Sequence, residues 1–243
     1  MSAKEKRERI LYEDRDIIIC HKPAGIATQT ARVGQADMVS EISNYLKTLH
    51  PEQKGSPYVG VVHRLDQPVE GILVFAGNKT AAAALSRQAS GDGMKKEYLA
   101  VVCGEDFPQA GELTDYLLKD GKTNTSRVVS PEVKGAKEAR LSYAVLSKGE
   151  KGTALVRVRL DTGRHHQIRV QLANAGMPLL GDHKYAGEGA LKISAELGVR
   201  EIALCAYRLT FTHPRTGERM MYEIRPEGAA FREWLEKENG SGV

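Results

Sequence analysis

Apolar positions along this chain fall mostly in short runs separated by polar turns, and only a few windows follow a helical period. Ile10 to Tyr12 and Ile17 to Cys20 read as two short strands around a polar turn, closing on the bend Lys22-Pro23-Ala24-Gly25. Further strands are expected in the runs flanking residues 63–69, then over 95–104, 115–122, 139–146, 154–160, 204–211 and 220–224. The loop His213-Pro214-Arg215-Thr216-Gly217-Glu218 joins the last two. In 154–160 the alternation is strict, with Ala154, Val156, Val158 and Leu160 on one face and Arg157 and Arg159 on the other, which predicts a half-buried strand.

Met38, Val39, Ile42, Tyr45, Leu46 and Leu49 keep a 3.6-residue period behind Asp37, a ready N-cap. An alanine-rich helix is predicted from Asn78 to about Gln88, stopped at Gly91-Asp92-Gly93. A third is predicted from His165 to Ala175, ended by Gly176 and Pro178, with Ile168, Leu172 and Ala175 as its buried stripe. Arg164, His165 and Gln167 crowd its first turn, where free N–H groups favour an anion. A short helix carrying Phe231, Trp234 and Leu235 closes the core.

Composition narrows the picture. A chain of 243 residues, 41% hydrophobic, can bury one core or two lobes sharing a sheet. The charged N-terminus precedes no apolar run and no segment reaches membrane-spanning length, so a soluble, cytoplasmic protein with no membrane partner is expected. Cys20, Cys103 and Cys205 lie in apolar strand contexts without CxxC spacing and read as buried free thiols. A formal charge of +4 and a pI near 8.9 tilt towards a polyanionic partner. Lys119, Lys122, Arg127, Lys134 and Lys137 make 105–150 the most basic long loop region, either a solvated face or a surface that tracks a nucleic-acid backbone.

One stretch places ionic groups against apolar runs. His63-Arg64-Leu65-Asp66-Gln67-Pro68 joins two predicted strands, and Pro68 forces a bend just after Asp66. In extended chain Arg64 and Asp66 share one side and His63 and Leu65 the other. On spacing alone, a solvated Arg–Asp pair at a strand end accounts for these letters as well as a reactive carboxylate does.

His63-Arg64-Leu65-Asp66, closely preceded by valines and followed by Gly71 and an apolar run, resembles the catalytic signature of the RluA-type pseudouridine synthases. Lys22-Pro23-x-Gly25 resembles the opening of that family's catalytic domain. Lys96-x-Tyr98-x-Ala100-x-Val102 resembles its second motif, and Thr162-Gly163-Arg164-His165-His166-Gln167-Ile168-Arg169, with Gly181-Asp182 downstream, its third. Two departures stand out: Val69-Glu70 replaces the usual Thr-Ser, and His165 stands where Thr is commoner.

The resemblance implies an α+β fold with a largely antiparallel, mixed, bent sheet flanked by helices, two lobes and a central cleft. It implies one catalytic domain over 10–236 between tails at 1–9 and 237–243. The pattern starts within about ten residues of Met1, so no RNA-binding S4 domain is expected before it. It makes Asp66 the nucleophile, Tyr98 the aromatic that stacks on the target uracil, and Arg169 the cation that pairs with Asp66. His63, Arg64, Arg164, His165 and Gln167 are candidates to contact the RNA or fill the space of a flipped base. The implied partner is ribosomal or transfer RNA, with no cofactor, no metal, no obligate protein partner and a monomeric state.

Other classes were weighed. A non-catalytic RNA-binding protein of the same fold should have lost the Asp66, Tyr98 and Arg169 trio, which stands intact. A hydrolase would need a second acid such as Glu70 or Asp182. Metal ligation by His165, His166, His183 and Asp182 fits no standard zinc spacing. A kinase-like reading of the His63-Arg64-x-Asp66 letters lacks a glycine-rich phosphate loop.

Overall fold

The structure, a computed structural model, describes residues 8–32, 34–52 and 54–235. Most of the two tails expected from sequence therefore lies outside the described residues. In chain order the elements are β1 (Ile10–Glu13), β2 (Ile17–Lys22), α1 (Met38–Leu49), β3 (Gly60–Val61), β4 (Glu70–Ala76), α2 (Lys79–Ser90), β5 (Lys95–Cys103) and β6 (Ala110–Asp120). There follow β7 (Thr125–Val129), β8 (Lys137–Lys148), β9 (Thr153–Leu160), α3 (Gln167–Asn174), α4 (Glu188–Glu196), β10 (Leu204–Thr212) and β11 (Arg219–Glu223). A single 3-10 turn covers Ala229–Phe231. This is the α+β class expected, and the strand pairs β1–β2, β2–β4, β3–β4, β10–β11, β5–β9, β9–β8, β8–β6 and β6–β7 are antiparallel. No helix among the described residues is long and apolar enough to cross a membrane.

The chain forms two compact units: residues up to Lys95 with Ala206–Arg225, and Lys96–Cys205 with the residues from Pro226 on. In the first, β1, β2, β4 and β10 lie in that order, with β3 on β4 and β11 on β10. All of β2 and β4 is buried. Ile17, Ile19, Ile72, Val74, Leu85, Leu209 and Phe211 belong to one apolar cluster, which the alanine face of α2 approaches closely. Both helices begin where sequence placed them. Asp37 accepts from Ser40 N–H at 2.7 Å and Asn78 from Ala81 N–H at 2.9 Å, each supplying one of the acceptors a helix start lacks. Gly71 has φ +143°, and a Cβ there would lie 2.5 Å from Ala206 Cβ, so only glycine lets β4 run this close to β10.

The second unit stacks β5, β9, β8, β6 and β7 in that order. Along β9 the alternation holds in part, because Leu155 is buried together with Ala154, Val156 and Val158. The third helix departs further from its expected form. It starts at Gln167, since His166 takes a left-handed φ of 55° and breaks the helical path. It shows no simple apolar stripe, and Gln167 to Leu172 are all buried. A polar side chain in such a buried stretch costs free energy unless it is paired. Gln171 Nε2 donates to Asp115 Oδ2 at 2.8 Å and to Ala139 O at 3.1 Å, while its buried Oε1 has no hydrogen-bond partner among the described residues. The three cysteines are free and buried, as read from sequence.

Candidate active site

In the first unit, Asp66 sits on a turn closed by Val69 N–H donating to Asp66 O at 3.0 Å, the bend that Pro68 was expected to force. The main chain is gripped on both sides of it by residues 22–28. Before Asp66, Thr28 Oγ1 donates to Leu65 O at 3.0 Å and accepts from Leu65 N–H at 3.1 Å. After it, Gln67 O accepts from Gly25 N–H at 2.9 Å and from Lys22 Nζ at 3.1 Å. Lys22 also donates to Pro23 O at 2.9 Å and to Ile26 O at 2.7 Å. All three N–H bonds of the ammonium are thereby directed at carbonyls, and Lys22 has no exposed surface.

Burial pushes the Lys22 pKa down to about 8, against the opposing pull of the Asp66 carboxylate first, with smaller pulls from Cys20 and Glu70. The sequence marks Lys22 only as part of a bend, and its depth leaves it no contact with solvent. The available signal was the Lys-Pro-x-Gly bend itself, whose tight turn folds its own carbonyls back over the lysine. Leu65 is buried and Arg64 exposed, as the two-residue alternation required. Half-buried His63 accepts at Nε2 from Val74 N–H at 3.1 Å, so part of its role is to brace β4. At the first departure from the family letters, Glu70 is buried beside His21, Nε2 to Oε2 3.8 Å.

The second unit contains Tyr98, Arg164, His165, Gln167 and Arg169. Tyr98 is buried on β5, opposite Val158 of β9. Arg169 forks onto Asp182, Nε to Oδ2 2.8 Å and Nη2 to Oδ1 2.7 Å, with both side chains buried. Its guanidinium carbon lies 5.1 Å from the Tyr185 ring centre. Gln167 is 2% exposed and its amide works inside the unit. Oε1 accepts from Thr162 Oγ1 at 2.8 Å and Arg164 N–H at 2.9 Å, while Nε2 donates to Arg140 O at 3.0 Å. The turn before α3 is closed by this side chain, so the open anion site expected there is occupied from within. Gln167 is better described as the brace of that turn than as an RNA contact. Exposed Arg164 donates through Nε to Glu138 O at 2.7 Å.

His165 stacks on His166, ring centres 3.7 Å apart, and is held by Ser126 Oγ at 2.9 Å and Asn124 Oδ1 at 3.1 Å. His166 Nδ1 lies 2.6 Å from the Tyr185 hydroxyl, which also accepts from Ser126 N–H at 2.8 Å. Burial, then the Arg169 and His165 charges, push the His166 pKa down to about 3, so this imidazole is neutral at physiological pH. The groups weighed as a metal set thus have other partners here, and His183 is exposed.

Residues 16–174 match the family model described as RNA pseudouridylate synthase. The chain belongs to that family. Among its relatives, the dual-specificity RNA pseudouridine synthase RluA of Salmonella typhi is 33% identical over 215 residues, covering 88% of this chain and 91% of that protein. An RNA pseudouridine synthase of Bacillus subtilis, YhcT, is 35% identical over 215 residues, covering 88% and 67%. The ribosomal large subunit pseudouridine synthase D of Nitrosomonas europaea is 35% identical over 224 residues, and the chain spans 61% of its length. A solved structure of human RNA pseudouridylate synthase domain containing 4 superposes with a TM-score of 0.73 at 26% identity, over 93% of this chain and 91% of that one.

Proposed function

We propose that this chain converts specific uridines in structured ribosomal or transfer RNA to pseudouridine, with Asp66 as nucleophile. The observation that carries the reading is the grip on both sides of Asp66, in a chain whose family membership is established. A nucleophile must be held where the reacting carbon arrives, and clamping its flanking peptides achieves that without blocking its own oxygens. In the reaction the N1–C1′ bond breaks, the base turns, and C1′ rejoins at C5. The C5 proton leaves and N1 ends protonated, so composition is unchanged. The carboxylate attacks at C1′ or C6 and later departs. Tyr98 offers a face for stacking and a hydroxyl for proton traffic. Arg169, charged at any working pH, stabilises the ionised carboxylate.

A uridine inside an RNA helix presents none of these atoms, so the base is flipped out at a cost of a few kcal/mol, less in a loop or bulge. Arg64 and Arg164, both exposed, contact the RNA around the flipped nucleotide. Exposed Lys119, Lys122, Arg127, Lys134 and Lys137 extend the basic surface along β6 to β8. The relatives' names include large-subunit and dual-specificity enzymes, which is why both RNA classes stay in the proposal.

The test incubates purified protein with ribosomal and transfer RNA transcripts, digests them to nucleosides and separates pseudouridine by chromatography. Wild type makes pseudouridine in at least one transcript, while Asp66→Asn and Arg169→Met make none. Wild-type rates in either variant would refute the assignment, and free uracil in place of pseudouridine would mark a hydrolase.

A further inference from the structure

Arg169 is the only arginine on α3, and it lies within a buried stretch. A guanidinium is planar and has five N–H donors, so which edge it presents depends on what fixes its plane. Two groups do so within its own unit. Asp182, 1% exposed, takes Nε–H and one Nη2–H in a fork, and its Oδ1 also accepts from Lys184 N–H at 3.0 Å. The Tyr185 ring covers the guanidinium, which stops it rocking about the fork.

Tyr185 is in turn fixed by its hydroxyl. The phenol oxygen accepts from Ser126 N–H at 2.8 Å and lies 2.6 Å from Nδ1 of the neutral His166 imidazole. Ser126 lies on β7, and neighbouring Asn124, with a left-handed φ of 51°, accepts at its carbonyl from Lys184 Nζ at 2.8 Å. The turn 182–185 is thus tied both to Arg169 and to the β6–β7 hairpin.

We propose that Asp182 and Tyr185 are positioning residues for Arg169: they set the plane and edge with which its guanidinium meets an anionic group, and Tyr185 passes the position of the β6–β7 hairpin on to it. The proposal rests on the reading of Arg169 given above, and deepens it. Neither residue touches RNA in this scheme.

The experiment compares wild type with Asp182→Asn and Tyr185→Phe. The Phe ring still covers Arg169 but cannot donate to His166. Measured are kcat and KM on an active transcript across pH 5 to 9, thermal melting, and the NMR signal of the Arg169 Nε–H, assigned by its loss in Arg169→Met. Asp182→Asn is expected to lower kcat about a hundredfold, as an ångström-scale misplacement does. Tyr185→Phe is expected to lower kcat about tenfold with KM within about twofold. The Nε–H signal, sharp in wild type, is expected to broaden in both.

Should Asp182→Asn fail to fold, Tyr185→Phe decides alone. Unchanged kcat and a sharp Nε–H in Tyr185→Phe would overturn the proposal, and so would an Asp182→Asn whose lower kcat came with an Nε–H as sharp as in wild type. A wild type that makes no pseudouridine refutes the functional reading, while loss of the sharp Nε–H in the variants would still support the clamp.

Discussion

The two units fix a charged group by opposite means. Around Asp66 a lysine with no exposed surface donates to three backbone carbonyls, so what it holds is the path of the main chain. Around Arg169 a buried carboxylate and an aromatic face hold the side chain itself. A grip on backbone is indifferent to neighbouring side-chain identities, and fails when the gripping cation goes. A side-chain fork fixes orientation closely, and one oxygen exchanged for nitrogen loosens it. The first unit should therefore respond to substitution in stability and activity together, and the second mainly in rate.

The largest expected break is Lys22→Met. Three carbonyls lose their donor, at about 1–3 kcal/mol each, against roughly 3 kcal/mol recovered by no longer burying an ammonium whose pKa is pushed down to about 8. A net loss of about 2 kcal/mol in urea unfolding is expected, with turnover down at least about a hundredfold as the Asp66 turn loosens. Unchanged unfolding and turnover would remove the grip from the account.

Next is Gly71→Ala, which forces a Cβ to within 2.5 Å of Ala206 Cβ at φ +143°. It should cost about 3 kcal/mol and shift the urea midpoint without altering the slope. A smaller effect sharpens the comparison through pH. The folded Lys22 pKa lies below the ordinary lysine value of 10.5, so between about pH 8 and 10.5 the unfolded chain binds more protons. This group's contribution to stability must then rise with pH across that window. Turnover should fall as pH passes about 8, because a neutral amine has only two N–H bonds for three carbonyls. The difference in unfolding free energy between wild type and Lys22→Met, measured from pH 7 to 10, should grow in favour of wild type. A flat difference would contradict it.

The smallest contrast lies within one motif. Gln167→Ala should cost about 1–2 kcal/mol with RNA affinity unchanged, since the turn loses its brace. Arg164→Ala should leave stability within about 0.5 kcal/mol yet weaken RNA binding and reduce its salt slope by about one. Equal behaviour of the two in urea unfolding and salt-titrated binding would erase the distinction.

Much of this was legible before any coordinates. Asp37 and Asn78 announced their helices because capping is local chemistry, and the 3.6-residue period behind Asp37 needed no tertiary knowledge. The motif letters singled out Asp66, Tyr98 and Arg169 as the candidate trio. What stayed hidden depended on distant partners. Lys22 reads as a surface residue until Gln67 O, 45 positions away, is brought to it. Asp182 stood out as part of a trailing Gly-Asp pair and as a second acid or metal ligand, not as a partner of Arg169, because the fork joins positions 13 apart across a helix end. The start of α3 was misjudged by two residues, since nothing in a histidine announces the left-handed backbone of His166. Gln167 then turned inward where an outward contact was expected, following that same bend.

The most direct measurement of the central claim is release of tritium from C5 of labelled uridine in a transcript that the wild type modifies. C5 loses its tritium when C1′ comes to rest there, so release in step with pseudouridine counts that step. Wild type should release it in step with pseudouridine formed, and Asp66→Asn should release none while binding the transcript with affinity within about threefold of wild type, a rate loss of roughly a thousandfold or more. Release by Asp66→Asn at the wild-type rate would contradict the account.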